Sequence, residues 1–137
     1  MNLIDQLRLD YENFPDRQSY HLYAQEVYFK DPLTEFRGIQ RYQAMIAFMA
    51  RWFRSLHLEL HQIDYTKPRQ ISTRWTLGWI APLPWQPAMV ISGRSELDLN
   101  SEGQIISHVD YWDCSPWEVV QQLWPWSKEP QIKIPGK

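Results

Sequence analysis

The sequence predicts an α+β domain in which a curved antiparallel sheet wraps around one long amphipathic helix. One observation is a helical stripe of apolar residues over 39–56, and another is a two-residue alternation of apolar and polar residues from residue 56 to about residue 113. The third is size, because 137 residues and 16.5 kDa suffice for one hydrophobic core but not for two. A strongly bent sheet leaves a conical space beside the helix, and such spaces bind small molecules.

The first thirty residues are predicted to be mainly helical. Asn2 can cap a first helix, which carries one apolar stripe and has to end at Pro15. A second short helix is expected from Asp16 to about Ala24. A short strand follows over 27–29.

The long helix is the clearest element in the sequence. It follows the turn pair Asp31-Pro32 and the break at Gly38. Its apolar positions recur three and four residues apart, as expected for a helix that buries one face. They are Ile39, Tyr42, Ile46, Met49, Phe53 and Leu56.

Four strands are then predicted to form an antiparallel meander. The first two alternate over about 56–61 and 71–79, and the last two cover 88–99 and 104–113. The segment 81–87 contains three prolines and is predicted to be a loop.

A short helix and a tail complete the predicted organisation. Ser115 begins a capping-box sequence with a proline at the first helical position, and this helix has to stop by Pro125. We therefore expect a single domain over residues 1–124 and a Pro-rich extended tail over 125–137.

Composition excludes several function classes. The net charge of −2 gives no electrostatic reason to expect nucleic acid or an anionic membrane as partner. No apolar run reaches the ~18 residues of a membrane span, and the N-terminus lacks a signal-peptide layout. The single Cys114 is compatible with a reducing compartment, which predicts a cytoplasmic location. No metal site or cofactor is expected, because His57 and His61 lie about 13 Å apart along a strand.

The register of the last hairpin predicts which side chains share a face. A four-residue loop over 100–103 would pair Ser95 with His108 and Gly93 with Asp110. The face that carries these residues is mostly apolar with a few polar groups, which is typical of a pocket wall. Its members are Ile91, Gly93, Ser95, Leu97, Ile106, His108, Asp110 and Trp112.

Two motifs resemble the nuclear-transport-factor-2-like superfamily. One is Tyr23-Ala-Gln-Glu-Val-Tyr-Phe-Lys-Asp31-Pro32 with Phe36-Arg37-Gly38 after it, and the other is Gly103-Gln-Ile-Ile-Ser-His-Val-Asp-Tyr-Trp-Asp113. The superfamily includes ketosteroid isomerases, limonene epoxide hydrolase, scytalone dehydratase and SnoaL-like polyketide cyclases. Within it, residues 3–124 look most like an uncharacterised family from cyanobacteria and plant plastids. The resemblance implies a cone-shaped fold with an apolar pocket, in a superfamily that mixes enzymes with binding proteins.

Asp31 is the first candidate catalytic residue. Aromatic neighbours at the mouth of the cone would raise the pKa of its carboxyl towards the range that suits a general base. The resemblance implies the same role, because ketosteroid isomerases place their base in a matching Asp-Pro pair. The alternative is an Asp that only caps the turn before Pro32.

Tyr11 and Ser95 are candidate hydrogen-bond donors to a ligand. The resemblance places Tyr11 where those isomerases hold a donor to the developing enolate oxygen, and Ser95 where they hold an acid. Since Ser is a weaker donor than a neutral carboxylic acid, a full isomerase site is not expected. Alternatively, Tyr11 is a core residue whose hydroxyl lies at the pocket edge.

His108 and Asp110 are candidate acid/base residues, because they lie two apart on one strand and so share a face. Limonene epoxide hydrolase has an Asp in a context similar to that of Asp110, and an earlier Arg that Arg74 would match. Thr76 stands where the second Asp of that triad would be, so the triad is incomplete. The alternatives are a buried ion pair of Asp110 with Arg74 or Arg37, and a core role for His108.

Three functions follow from these candidates. The first is binding of a small apolar ligand in the cone, with isomerase-, cyclase- or hydratase-like acid/base chemistry by Asp31, His108 and Asp110. Its expected ligand-binding wall is Tyr11, Phe29, Phe53, Arg74, Ser95 and Trp112. The alternative is a non-catalytic interaction domain that docks on a larger assembly, and a structural dimer without a ligand ranks last. A homodimer through an aromatic outer sheet face is expected in every case.

Overall fold

A computed structural model describes residues 1–125 of the chain. It contains one six-stranded sheet, three α-helices and one turn of 3₁₀-helix. In chain order the elements are α1 (Leu3–Asn13), the 3₁₀ turn (Tyr20–Leu22), β1 (Tyr23–Lys30), β2 (Glu35–Arg37), α2 (Ile39–Trp52), β3 (Arg54–Lys67), β4 (Gln70–Ile80), β5 (Ala88–Leu99), β6 (Ile105–Trp112) and α3 (Pro116–Gln121). The predicted tail falls almost entirely on residues 126–137, which lie outside the described part.

The sheet is mixed, with strand order β2-β1-β6-β5-β4-β3. The strands β3 to β6 form the predicted antiparallel meander, whereas β1 runs parallel to β6. The predicted α+β class is confirmed, and the expectation of a purely antiparallel sheet is corrected. The reason is connectivity, since hairpins force β3 to β6 to alternate in direction but no hairpin joins β1 to β6.

The first helix forms where the sequence predicts it, and the second does not form as predicted. Asn2 caps α1, because its side-chain Oδ1 accepts a hydrogen bond from the backbone N of Asp5 at 2.8 Å. Instead of a helix from Asp16 to Ala24, only the turn Tyr20–Leu22 is helical. Tyr23 already pairs with Ile105 of β6, so strand pairing overrides the local helical pattern.

The long helix α2 buries Tyr42 and Ile46 and ends earlier than the apolar stripe suggests. Phe53 has extended backbone angles, and Leu56 lies in β3. The stripe passes from helix into strand without a break because both elements put these side chains against the same core.

The hairpin between β5 and β6 is displaced by two residues from the predicted register. Ser95 pairs with Asp110, not with His108. One residue of the displacement lies in the loop, because Leu99 pairs with Ile105 and not with Gln104, and the other is a β-bulge at Ile106, an extra residue between the pairs Leu99–Ile105 and Asp98–Ser107. Because a displacement by two preserves the face, His108 and Asp110 keep the predicted orientation, whereas Ile106 moves to the exposed side.

The inner face of the sheet carries the core, and the outer face is polar. All three Trp residues within strands, Trp75, Trp79 and Trp112, point inward to the cavity described below. No Trp of these strands therefore covers the outer face. That face carries polar pairs, of which Arg94–Glu96 is an example, together with the exposed Tyr111. None of the helices described for residues 1–125 has the length and hydropathy of a membrane span.

Candidate functional site

A cavity of about 460 Å³ lies between the two longer helices and the inner face of the sheet. Aromatic and aliphatic side chains from α1, α2 and five strands form most of its wall, including Phe29, Phe53 and Trp112 as predicted. The polar residues that line it are Asp10, Tyr11, Gln18, Tyr23, Asp31, Thr34, Tyr42, Ser95, His108 and Asp110. No Lys or Arg is among the described residues that line it. A large apolar cavity with a few converging polar groups is the usual form of a small-molecule site.

A directed chain of hydrogen bonds crosses the floor of the cavity. The indole Nε1 of Trp75 donates to Ser95 Oγ at 2.8 Å, and the Ser95 hydroxyl donates to Asp110 Oδ1 at 2.5 Å. Because an indole N–H can only donate, the Ser95 oxygen accepts from it and its own proton is directed to Asp110. Asp110 therefore acts as an acceptor through Oδ1, and Oδ2 takes no part in these bonds.

His108 fixes the same carboxylate from the other side. Its Nε2 lies 2.7 Å from Asp110 Oδ1, so Nε2 carries the proton of this bond. The imidazole packs between Phe29 and Tyr42, with ring centroids 5.2 and 5.7 Å away. Within residues 1–125, His108 Nδ1 is buried without a hydrogen-bond partner. Among the described residues, His108 is therefore held by one polar contact, to Asp110, and by its ring contacts with Phe29 and Tyr42.

Tyr11 reaches the cavity from the apolar stripe of α1. Its hydroxyl forms a 2.8 Å hydrogen bond with Thr73 Oγ1, a fully buried group on β4. Burial raises the pKa of the Tyr11 hydroxyl, and the negative charge of Asp110 raises it further. Tyr11 is consequently a neutral hydroxyl, able to donate a hydrogen bond but not to act as a base at neutral pH.

Asp31 lines the cavity and also holds the turn that follows β1. Its Oδ1 accepts hydrogen bonds from the backbone N of Leu33 at 2.8 Å and of Thr34 at 2.7 Å. Burial raises the pKa of the Asp31 carboxyl, the two backbone bonds oppose this, and the charge of Asp110 adds to the rise. The two sequence interpretations of Asp31, turn cap and cavity residue, therefore coexist in one side chain.

Asp10 is a buried carboxylate in the cavity wall that the sequence analysis missed. It is 6% exposed, and its two oxygens accept hydrogen bonds from the backbone N and the hydroxyl of Ser19. Burial raises the pKa of Asp10. Its position three residues after Leu7 and next to Tyr11 places it beside the apolar stripe of α1, which is the signal that could have indicated it.

A pair of tyrosines was also missed as part of the site. The hydroxyls of Tyr23 and Tyr42 lie 3.3 Å apart at the cavity wall, and their rings are in contact. Burial raises the pKa of both hydroxyls. Tyr42 was assigned to the helix core from its spacing, and no sequence pattern marks its hydroxyl as facing a cavity.

Arg74 is the one predicted ligand-binding residue that lies outside the cavity. On β4, Thr73 and Trp75 point inward, so the alternation of the strand turns Arg74 to the outer face. Its guanidinium forms a 2.7 Å ion pair with Asp113. The alternative ion pair of Asp110 with Arg74 or Arg37 does not form, because Asp110 is hydrogen-bonded to Ser95 and His108 instead.

The structure thus brings the remaining predicted residues to one cavity: Tyr11, Phe29, Asp31, Phe53, Ser95, His108, Asp110 and Trp112. Their roles in catalysis or ligand binding stay predictions. Among residues 1–125, no group of three or more His, Cys, Asp or Glu side chains is arranged to hold a metal ion.

Solved structures define the class of this fold. An NTF2-like protein of unknown function from Exiguobacterium sp. 255-15 matches with a TM-score of 0.66 and 14% identity, over 82% of this chain and 98% of that one. A protein with a ketosteroid isomerase-like fold from Catenulispora acidiphila, in complex with trimethylamine, gives a TM-score of 0.68 and 15% identity over 87% and 89% of the two chains. The epoxide hydrolase/cyclase-like enzyme SalBIII, of pyran ring formation in the polyether salinomycin, gives 0.59 and 15% over 80% and 85%. The fold is therefore NTF2-like, as the sequence motifs predict.

The family follows from the sequence itself. Residues 1–108 match the family described as "Uncharacterized conserved protein (DUF2358)", and the chain belongs to that family. No curated protein gives a significant match.

Proposed function

We propose that the protein binds a small apolar molecule in the cavity and holds the polar group of that molecule against Asp110. The observation that carries the proposal is the chain Trp75–Ser95–Asp110–His108 in the wall of an otherwise apolar 460 Å³ cavity. Packing alone does not require an oriented carboxylate in this wall. Recognition of a ligand does require one, where the ligand presents a hydroxyl, an amine or a C–H group made acidic by a neighbouring carbonyl.

The charges of the lining limit the class of ligand. Asp10, Asp31 and Asp110 line the cavity, and no Lys or Arg among the described residues does. A carboxylate or phosphate on the ligand would be buried beside these groups without a cation to pair with. The favoured ligand is therefore neutral or carries a basic nitrogen, and the trimethylamine complex of the Catenulispora protein is in line with this preference.

Acid/base chemistry is the second candidate, and it extends the first. Asp110 would take a proton through Oδ2 while Ser95 and His108 hold Oδ1, and the Tyr11 hydroxyl would donate a hydrogen bond to the developing negative charge. Asp31, whose pKa burial raises, would donate a second proton to the product, and after product release Asp110 would lose its proton to water and Asp31 would regain one from water. This division of roles supports isomerase-, cyclase- or hydratase-like reactions, and the similarity to an epoxide hydrolase/cyclase-like enzyme points the same way.

A non-catalytic interaction domain is the alternative function. For a domain that only docks on a larger assembly, we expect side chains to fill the space between helix and sheet. In this structure that space is a cavity lined by Asp31, His108 and Asp110. The predicted homodimer stays a prediction. The outer sheet face offers Ile106 and Tyr111 as exposed apolar residues, at 39% and 42% exposure, within an otherwise polar surface.

The test is a calorimetric titration with three naphthalene compounds that differ in one substituent. We expect 2-naphthalenemethanol and 2-naphthylmethylamine to bind and 2-naphthoate to bind at least tenfold more weakly. Asp110→Asn should reduce this discrimination against the carboxylate.

Two matched variants locate the binding. Met49→Trp places a bulky ring in the wall of the cavity and should abolish binding, whereas Ala50→Trp, on the exposed side of the same helix, should not. Equal affinity in both variants would exclude the cavity as the binding site.

A further inference from the structure

The opening of the cavity is edged by exposed apolar side chains. Leu33, in the turn after β1, is 68% exposed, and Phe48 of α2 is 57% exposed, yet both line the cavity. Trp52 lies one helical turn beyond Phe48, is 47% exposed, and its ring centroid is 6.5 Å from that of Phe48. We call Leu33, Phe48 and Trp52 the rim. Large apolar side chains gathered at the entrance of a cavity indicate a surface that contacts something apolar.

The charges on the α2 side of the rim are positive. Helix α2 contains Arg41 and Arg51 and no Asp or Glu, in a chain that has 16 acidic residues and a net charge of −2, whereas Asp31 and Glu35 flank Leu33 in the sequence. Arg41 precedes Phe48 by seven residues and Trp52 by eleven, so the three share one face of α2. Arg51 packs its guanidinium over the Trp52 ring at 5.3 Å. The net charge of the chain conceals this local excess of cations.

We propose that the rim docks on an anionic membrane surface, from which the apolar ligand enters the cavity. This rests on the function proposed above. Trp and Phe rings prefer the headgroup level of a bilayer, and flanking Arg side chains attract acidic phospholipids. Docking would place the cavity opening against the lipid, so an apolar molecule could move between bilayer and cavity without crossing water.

A membrane explains the rim better than a protein partner does. The exposed parts of three large side chains amount to on the order of 300 Å², because a fully buried aromatic side chain contributes about 150–250 Å². A stable protein interface needs about 800 Å² on each partner. Shallow insertion into a bilayer has no such minimum, since a few side chains and several cations together give reversible binding.

The experiment is co-sedimentation of the full chain with vesicles of phosphatidylcholine alone or mixed with phosphatidylglycerol. We expect binding to the mixed vesicles only, and weaker binding at higher salt. Arg41→Gln and Arg51→Gln should each weaken binding about fivefold, which corresponds to ~1 kcal/mol per basic residue near the surface. Trp52→Gln should weaken it at least tenfold.

Matched controls are Arg69→Gln, at the turn between β3 and β4, and Trp117→Gln, an exposed Trp of α3. Both should bind like the wild type. The proposal is overturned if mixed vesicles are not bound, if the controls lose as much binding as the rim variants, or if Trp52→Gln instead dissociates a dimer. The naphthalene titration without vesicles separates the two proposals: ligand binding without vesicle binding refutes only the docking, and vesicle binding without ligand binding refutes only the function of the cavity.

Discussion

At the scale of single residues, the site depends on polar groups that serve structure and cavity together. Ser95 accepts from Trp75 and donates to Asp110, and Asp31 holds a turn while it faces the cavity. The sequence predicted these two positions from strand periodicity and family motifs. It did not predict the partners of Ser95, because hydrogen bonds across 15 or 20 residues depend on the register between strands.

Two substitutions at Asp31 separate its structural role from its charge. Asp31→Asn keeps an oxygen that can accept from Leu33 and Thr34, so thermal unfolding should change little. Asp31→Ala removes both bonds and should lower the unfolding free energy by about 1–2 kcal/mol. Ile46→Asp, which buries a new charge beside α2, should lower it far more.

The pH dependence of Asp31→Asn has a defined sign. Burial raises the pKa of Asp31 in the folded state, so the folded protein binds this proton more tightly than the unfolded chain does. The stability that protonated Asp31 contributes to the wild type is therefore lost as the pH rises from the ordinary pKa of aspartate through the raised pKa of the folded state. The stability of Asp31→Asn relative to wild type should increase over that interval in denaturant titrations. A difference that decreases with pH would contradict the assignment.

Ser95→Ala tests the hydrogen-bond chain. It leaves the Trp75 indole N–H buried without its acceptor and removes a donor to Asp110, so we expect a loss of about 1–3 kcal/mol in urea unfolding. Ser72→Ala on the outer side of β4 is the matched control and should change stability by less than about 0.5 kcal/mol. Similar losses in both variants would show that the chain contributes no specific stability.

At the scale of elements, close packing of strands and side chains fixes the sheet where the site forms. Gly93 faces a backbone carbonyl, since a Cβ there would lie 2.4 Å from the oxygen of Tyr111 and 3.2 Å from the Trp75 ring. Gly78 faces only the His57 ring, at 2.6 Å, and His57 is exposed. Replacement of glycine by alanine should therefore be tolerated better at Gly78 in β4 than at Gly93 in β5.

Gly93→Ala and Gly78→Ala make this difference measurable. Gly93→Ala has to displace backbone of β6 beside the site, and we expect a loss of about 3 kcal/mol in unfolding free energy. Gly78→Ala requires that the exposed imidazole of His57 swing aside and lose its 2.9 Å hydrogen bond with the Ser55 carbonyl oxygen, and we expect a loss of about 1 kcal/mol. Chemical denaturation of both variants is the measurement, and equal losses would contradict the packing described for β5 and β6.

Element boundaries show where sequence patterns stop being informative. The stripe of α2 predicted the helix and its buried face, because 14 residues repeat one period several times. The strand β2 has three residues, too few to show a period, and the bulge at Ile106 leaves no mark in the alternation. The predicted orientation of His108 and Asp110 survived only because the displacement was an even number of residues.

At the scale of the whole molecule, a mixed six-stranded sheet and two longer helices enclose an acidic, aromatic-walled cavity, and α2 carries Arg41 and Arg51 beside its opening. The fold class followed from periodicity, and the family motifs predicted the NTF2-like arrangement. The cavity itself could not be derived from the sequence, because its volume depends on how far α2 is held from the sheet by large side chains such as Trp75 and Tyr42.

Binding of an apolar molecule in the cavity can be followed by the indole N–H signals of the Trp residues in a ¹H–¹⁵N titration with 2-naphthalenemethanol. Trp75, Trp79 and Trp112 line the cavity, whereas Trp85 and Trp117 do not. We expect the first three signals to shift together and saturate at one concentration while the other two stay in place. Shifts confined to Trp85 and Trp117, or no saturable shift in any signal, would contradict it.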